Sequence, residues 1–282
     1  MGATVNLTTK VQPYVDEVFT TESKRELLTN KNYSWTGAHT IKVNKVNTVA
    51  MNDYDRAGTG ENKSRYGAYG SVGNEFEEMT LKKDRSFTFV IDKLDSDETQ
   101  MVLSGGTALA RQQREVVIPE VDAYTYGVMC DNAGTKDTET TLTSANIYEE
   151  ILVGNQALDD AEAPETSRCL VVTPASYFML KRNKDIIMET DVTAEMRLRG
   201  VIGYLDGLTV IKVPANRLPA KFGFMIAHPV ATVAPVKLED YKIHQDPPGI
   251  SGQLVEGRIA YDAFVLDNKK KAIYYAENKP AE

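Results

Sequence analysis

The chain has 282 residues, 42% hydrophobic and 26% charged, with a formal net charge of −8. That length buries a substantial core in one large domain or two modest ones, and the acidic balance weighs against a dedicated nucleic-acid binder, which needs a concentrated basic surface. No apolar run approaches the roughly 18 residues of a membrane span, and the start Met-Gly-Ala-Thr-Val-Asn-Leu lacks the basic leader and apolar stretch of a signal peptide, so no membrane partner is expected.

Residues 1–9 are polar and read as an extended arm. After them Val11, Tyr14, Val15, Val18 and Phe19 recur at helical spacing, which predicts a short amphipathic helix near residues 12–19. From Tyr33 to Val49 the pattern alternates, as it does again in EEMTLKKDRSFTFVID, where Met79 and Leu81 share a face and Phe87, Phe89 and Ile91 another. These segments read as a long β-hairpin. Its connecting stretch MNDYDRAGTGENKSRYGAYGSVGN is rich in glycine and carries Tyr54, Tyr66 and Tyr69, and an insert of that length is functional or disordered. A hairpin with no core of its own is marginal in water, so the expectation is that it lies against a neighbouring subunit.

The stretch from Asp95 to Cys130 predicts two helices in series. Asp95 or Ser96 caps the first, with Glu98 in capping-box position, and Val102, Leu103, Leu109, Ala110 and Val116 form its apolar stripe. Pro119 sets the boundary: it lacks an N–H and would crowd the carbonyl of Glu115, so it belongs in the first turn of a new helix, with Glu120 and Asp122 near the positive end of the dipole. Val121, Tyr124, Val128 and Met129 would share that helix's face.

Further along, Thr143 or Ser144 caps a helix through NIYEEILVGNQALDDA. Arg168–Thr173 reads as a buried strand, Pro174 opens a helix through PASYFMLKRN, and Leu208–Val213 is a strand. Phe222–Ile226 and Ala231–Val236 are two more strands, and the last segment, Leu254–Tyr275, holds two antiparallel strands about a turn at Asp267-Asn268. The fold class is α+β.

No local signature nominates an enzyme. GTGENKS lacks the glycine spacing of a phosphate loop, and Asp92, Asp95, Asp97 and Glu98 lack the glycine and distant glutamate of a calcium loop. His39, His228 and His244 show no ligand spacing, and Cys130 and Cys169 sit in apolar surroundings as reduced core residues. No catalytic residue, cofactor or metal is expected.

Taken in order, YVDEVFTTES, LKKDRSFTFVIDKLDSDET, VIPEVDAYTYGVM and RCLVVTPASYFMLKR followed by GYLDGLTVIKVPANRLP resemble the major capsid protein of tailed bacteriophages, the Hong Kong ninety-seven fold shared with encapsulins. The resemblance implies an N-terminal arm at 1–34, an extended loop at 35–93 and a peripheral domain beginning at 94–142, with its spine helix starting at Pro119. It further implies an axial domain at 143–234 and returning peripheral strands at 235–282. It implies a subunit that self-assembles as pentamers and hexamers into an icosahedral shell around a double-stranded DNA genome, found in the virion and assembled in the bacterial host cytoplasm. A separate scaffolding protein and a portal are the implied partners, with packaged DNA held without sequence-specific binding. Tyr54, Tyr66, Tyr69, Lys82, Lys83, Asp84 and Arg85 are the candidates for contacts between subunits. An encapsulin-type compartment and an α/β enzyme with a long lid loop are the alternatives.

Overall fold

The computed structural model describes residues 22–33, 40–58, 64–68, 70–98, 104–183 and 201–279. The helix expected near 12–19 lies outside them. The chain divides into two compact units, one spanning residues 1–34 and 82–282 and the other Trp35–Leu81.

The smaller unit is built on two antiparallel strands, β1 (Thr40–Val46) and β2 (Asn74–Thr80), in register from Thr40 opposite Thr80 to Val46 opposite Asn74. Lys42 pairs with Glu78 and Lys45 with Glu77, each at 2.6 Å across the ladder. The legs beyond the strands stay joined. Asn47 N donates to Gly73 O, Asp55 N donates to Arg65 O, and the Asn52 side-chain amide donates to the carbonyls of Tyr66 and Ala68. Gly67 is needed there: its φ of +82° is a left-handed value, and a Cβ would stand 2.7 Å from that of Asn52.

In the larger unit, β3 (Lys83–Asp92) was expected as part of the long hairpin. It instead pairs along its length with β11 (Gly252–Tyr261), which also pairs with β10 (Val236–Gln245), giving a three-stranded antiparallel sheet. Most of β10 had no strand expectation, because only its first residue ends the apolar run and the rest, KLEDYKIHQ, is largely polar.

The central helix differs from its expectation in two places. A short α1 (Lys93–Glu98) precedes α2 (Gly105–Gln112), and α2 is capped by Ser104 in a reciprocal box with Thr107 rather than by Asp95 or Ser96. Pro119 does not break the path either. A widened turn at Gln113–Val117, in which Ile118 N donates to Gln113 O, leads straight into α3 (Ile118–Asp131), with Pro119 in its first turn. The wider turn absorbs the missing donor and ring crowding that would kink an ordinary helix. The buried face of α3 is Val121, Asp122, Thr125, Tyr126, Met129 and Cys130, with Tyr124 and Val128 only half-buried.

The core is a six-stranded mixed sheet ordered β4-β13-β8-β5-β7-β6. Its strands are β4 (Thr135–Asp137), β5 (Cys169–Val172), β6 (Val201–Leu205), β7 (Leu208–Lys212), β8 (Phe222–Ala227) and β13 (Ile273–Glu277). Alternation assigns its two faces. Cys169, Val171, Ile211, Met225, Ile273 and Tyr275 pack with Tyr126, Met129 and Cys130 of α3. Leu170, Val172, Val210, Phe224 and Ile226 pack on the other face with α4 (Ile147–Asp160) and α5 (Pro174–Arg182). Thr173 caps α5 by accepting from Ser176 N, whereas α4 starts through a Thr143–Asn146 exchange in which each backbone N–H donates to the other's side chain.

The two runs between Leu254 and Tyr275 do not form a hairpin. The first is β11, in the three-stranded sheet; after it β12 (Phe264–Val265) pairs with β9 (Thr232–Val233), and a 3-10 turn at Asp267–Ala272 delivers β13 to the central sheet.

Candidate functional site

The hairpin unit carries apolar side chains that its two strands cannot cover. Met51 is 98% exposed and Tyr66 77%, and Val46, Val49, Tyr54, Val72 and Phe76 are exposed with them. Exposed apolar side chains in such number on a polar insert are candidates for an interaction surface. Tyr54 and Tyr66 meet edge to face, ring centroids 5.1 Å apart, so they form one aromatic step. Tyr69 lies outside the described residues.

The four charged candidates at the start of β3 have local roles in the larger unit. Asp84 receives two hydrogen bonds from Arg258, at 2.9 and 2.6 Å, and that donation holds its carboxyl below the ordinary range. Arg85 Nε donates to Glu120 at 2.8 Å, and the Tyr261 hydroxyl donates to the same oxygen. Lys83 stands 4.9 Å from the centroid of the Tyr124 ring. Lys82 contributes its backbone N–H to Asp262, which also accepts from the Tyr124 hydroxyl at 2.7 Å. The stretch therefore ties β3 to α3 and β11, and Asp84 and Arg85 spend their charges on partners of their own subunit. Exposed pairs of this kind contribute little stability each.

A second polar cluster was not anticipated. Asp122 on α3, read in the sequence as a dipole partner, accepts from Ser23 Oγ at 2.6 Å and from Arg217 Nη1 at 2.8 Å, with Arg25 Nε 3.9 Å away. Arg217 also donates to the carbonyl of Glu22. Burial raises the Asp122 carboxyl, and the Ser23 hydrogen bond and the Arg217 and Arg25 charges offset this only in part. The one sequence cue was an arginine placed between Pro214 and Pro219, next to Asn216. Arg168 is bound in the same manner, donating to Asp159, Asn155 and two backbone carbonyls.

Neither cysteine is poised for chemistry: both are buried and unpaired with each other, and burial pushes each thiol up to about 12. Among the described residues no group of three or more His, Cys, Asp or Glu could hold a metal ion, and no helix is long and apolar enough to cross a membrane.

No protein-family model matches the chain, and no curated protein does. Solved structures do. A structure titled for Mycobacterium phage Che8 is similar over 98% of this chain and 99% of its own, at 18% identity and a TM-score of 0.75. The capsid of cyanophage P-SCSP1u is similar over 96% and 92%, at 13% identity and a TM-score of 0.74. A virus-like particle from Pyrococcus furiosus is similar over 85% and 86%, at 11% identity and a TM-score of 0.51. The chain has the α+β fold of phage capsids and of such particles.

Proposed function

We propose that the chain is the major capsid protein of a tailed phage or prophage, self-assembling into an icosahedral shell around a double-stranded DNA genome. The observation that carries this reading is likeness along nearly the whole chain to a phage capsid. The mechanism is geometric. Met51, Tyr54, Tyr66, Val72 and Phe76 stand exposed on the hairpin, and laying them on a neighbouring copy recovers roughly 25 cal/mol for each Å² of apolar surface removed from water. The acidic balance suits a wall that encloses DNA without gripping it. Copies of the chain in pentamers and hexamers, a separate scaffolding protein and a portal are the partners this role requires. The arm, extended loop, peripheral domain and axial domain named from the sequence are its proposed working parts, in the virion and, before that, in the host cytoplasm.

A cargo-enclosing protein shell is the second reading, favoured by the likeness to the Pyrococcus particle. Electron microscopy of the purified product, followed by nuclease digestion and analysis of the contents, tests both. Closed shells holding DNA support the phage role, shells holding only protein support the second, and a monodisperse monomer with catalytic turnover supports the enzyme alternative.

A further inference from the structure

His228 stands where three segments converge. It precedes a 3-10 turn at Pro229–Ala231 and caps it, the imidazole Nδ1 accepting from Val230 N at 3.1 Å. The other ring nitrogen donates to the carbonyl of Thr166, in the segment leading to β5. One nitrogen that accepts and one that donates make the ring neutral, with its proton on Nε2. The charged groups that face it among the described residues are Arg168, from that same segment, and Lys269, from the 3-10 turn at Asp267–Ala272. Both are cations, and Arg168 is itself bonded to Asp159. The capped turn, Pro229-Val-Ala231, carries no charge of its own.

The turn is a junction. Ala231 is buried, its N–H donates to the His228 carbonyl at 3.1 Å, and its own carbonyl accepts from Leu266 N at 3.0 Å. The next residue, Thr232, begins β9, and its carbonyl accepts from Asn30 N at 2.7 Å. Asn30 lies just past the short 3-10 helix Arg25–Leu28, whose buried Leu28 belongs to the same core cluster as Ala231. The backbone that His228 caps therefore seats residues 25–30 as well as the strand pair β9 and β12.

We propose that His228 is an acid-sensitive latch on this junction: the neutral ring holds the Pro229–Ala231 turn, and a proton on Nδ1 releases the turn and loosens the seat of residues 25–30. A nitrogen that carries a proton cannot accept, so protonation strands the Val230 N–H and sets an imidazolium facing Arg168 and Lys269. Turning the ring over gives no escape, because both nitrogens then carry protons. The bond to Thr166 survives, which confines the release to the turn. Burial pushes the imidazole below its ordinary 6.5; the Thr166 bond opposes this, and the Arg168 and Lys269 charges add to it. The folded state thus takes up the proton less readily than the unfolded chain. The contribution of the cap is full above 6.5 and is lost as pH falls from there toward the lowered native value. The latch belongs to the subunit itself and does not depend on the shell reading.

The test is hydrogen exchange on the full chain, read by mass spectrometry at about pH 7.5 and about pH 5, either side of the ordinary histidine range, with the intrinsic pH dependence of amide exchange divided out. Wild type, His228→Asn and His228→Ala are compared. Asparagine is a good cap whose side-chain oxygen accepts at both pH values, and alanine caps at neither. Protection of segments 228–232 and 25–30 in wild type should fall about fivefold at the lower pH, the loss of one cap. His228→Asn should keep its protection at both pH values, and His228→Ala should lack it at both. Wild-type protection that ignores pH overturns the latch, and so does a His228→Asn chain with the wild-type pH dependence, which assigns the effect to another group. A loss confined to 228–232 overturns the link to residues 25–30. Should the alanine chain fail to fold, wild type against His228→Asn decides alone.

Discussion

Arg217 donates from Nη1 to Oδ2 of Asp122 at 2.8 Å, and the two side chains are only 3% and 1% exposed. The pair joins the turn before β8 to the helix on the opposite side of the chain's sequence, and Ser23 and the Glu22 carbonyl bring the first described residues to the same point. A buried ion pair contributes little net stability against an apolar replacement, but removing one partner strands the other charge.

Asp122→Ala should therefore cost about 3–5 kcal/mol in urea unfolding, and Asp122→Leu combined with Arg217→Met should recover most of that loss. The pH dependence has a definite sign. The carboxyl is raised above its ordinary 3.8 in the fold, so the folded state binds the proton more readily than the unfolded chain does. Its contribution falls as pH rises from about 3.8 to the raised native value and is flat above it. Asp122→Asn should remove that slope from the stability profile; a slope equal to wild type would show that another group carries it.

Pro119→Gly should lower stability by about 1 kcal/mol, because the ring fixes the first turn of α3 and glycine adds unfolded-state entropy. Ser104→Ala, which breaks the box with Thr107, should cost about 1 kcal/mol. A gain in melting temperature for Pro119→Gly would instead show a strained proline after the widened turn.

The thiols of Cys130 and Cys169, pushed up to about 12 by burial, should resist a thiol reagent at pH 8 in the folded subunit and react fully in denaturant. Rapid native labelling of either would contradict the packing of α3 and β5 against each other.

Tyr54→Ala and Tyr66→Ala remove exposed rings whose edge-to-face contact is with each other. Each should change subunit stability by less than about 0.5 kcal/mol and lower assembly yield far more. A melt that drops by several degrees with unchanged assembly would assign the pair to the hairpin's own fold.

Much of the larger unit was legible because its patterns are local. Cys169–Val172 and Phe222–Ala227 are apolar runs bounded by breakers, and Pro174 is a first-turn signal for the helix it opens. The partners of β3 and β11 were not legible: both strands alternate, and alternation names a face but not the strand alongside, which here lies more than 150 residues away. The same reason hid Asp122. Its position three residues after Pro119 in an expected helix fits a dipole role, and only the fold brings Ser23 and Arg217 to it. The start of β3 misled for a related cause, since Asp84 and Arg85 look free in sequence and find Arg258 and Glu120 only after folding.

The central claim is that the hairpin serves assembly rather than the subunit's own fold. Deleting residues 56–72 and imaging the purified product by electron microscopy beside wild type tests it most directly. The expected result is closed shells from wild type and a folded, monodisperse subunit from the deletion that forms none. Normal shells from the deletion, or a deleted chain that no longer folds, would contradict the claim.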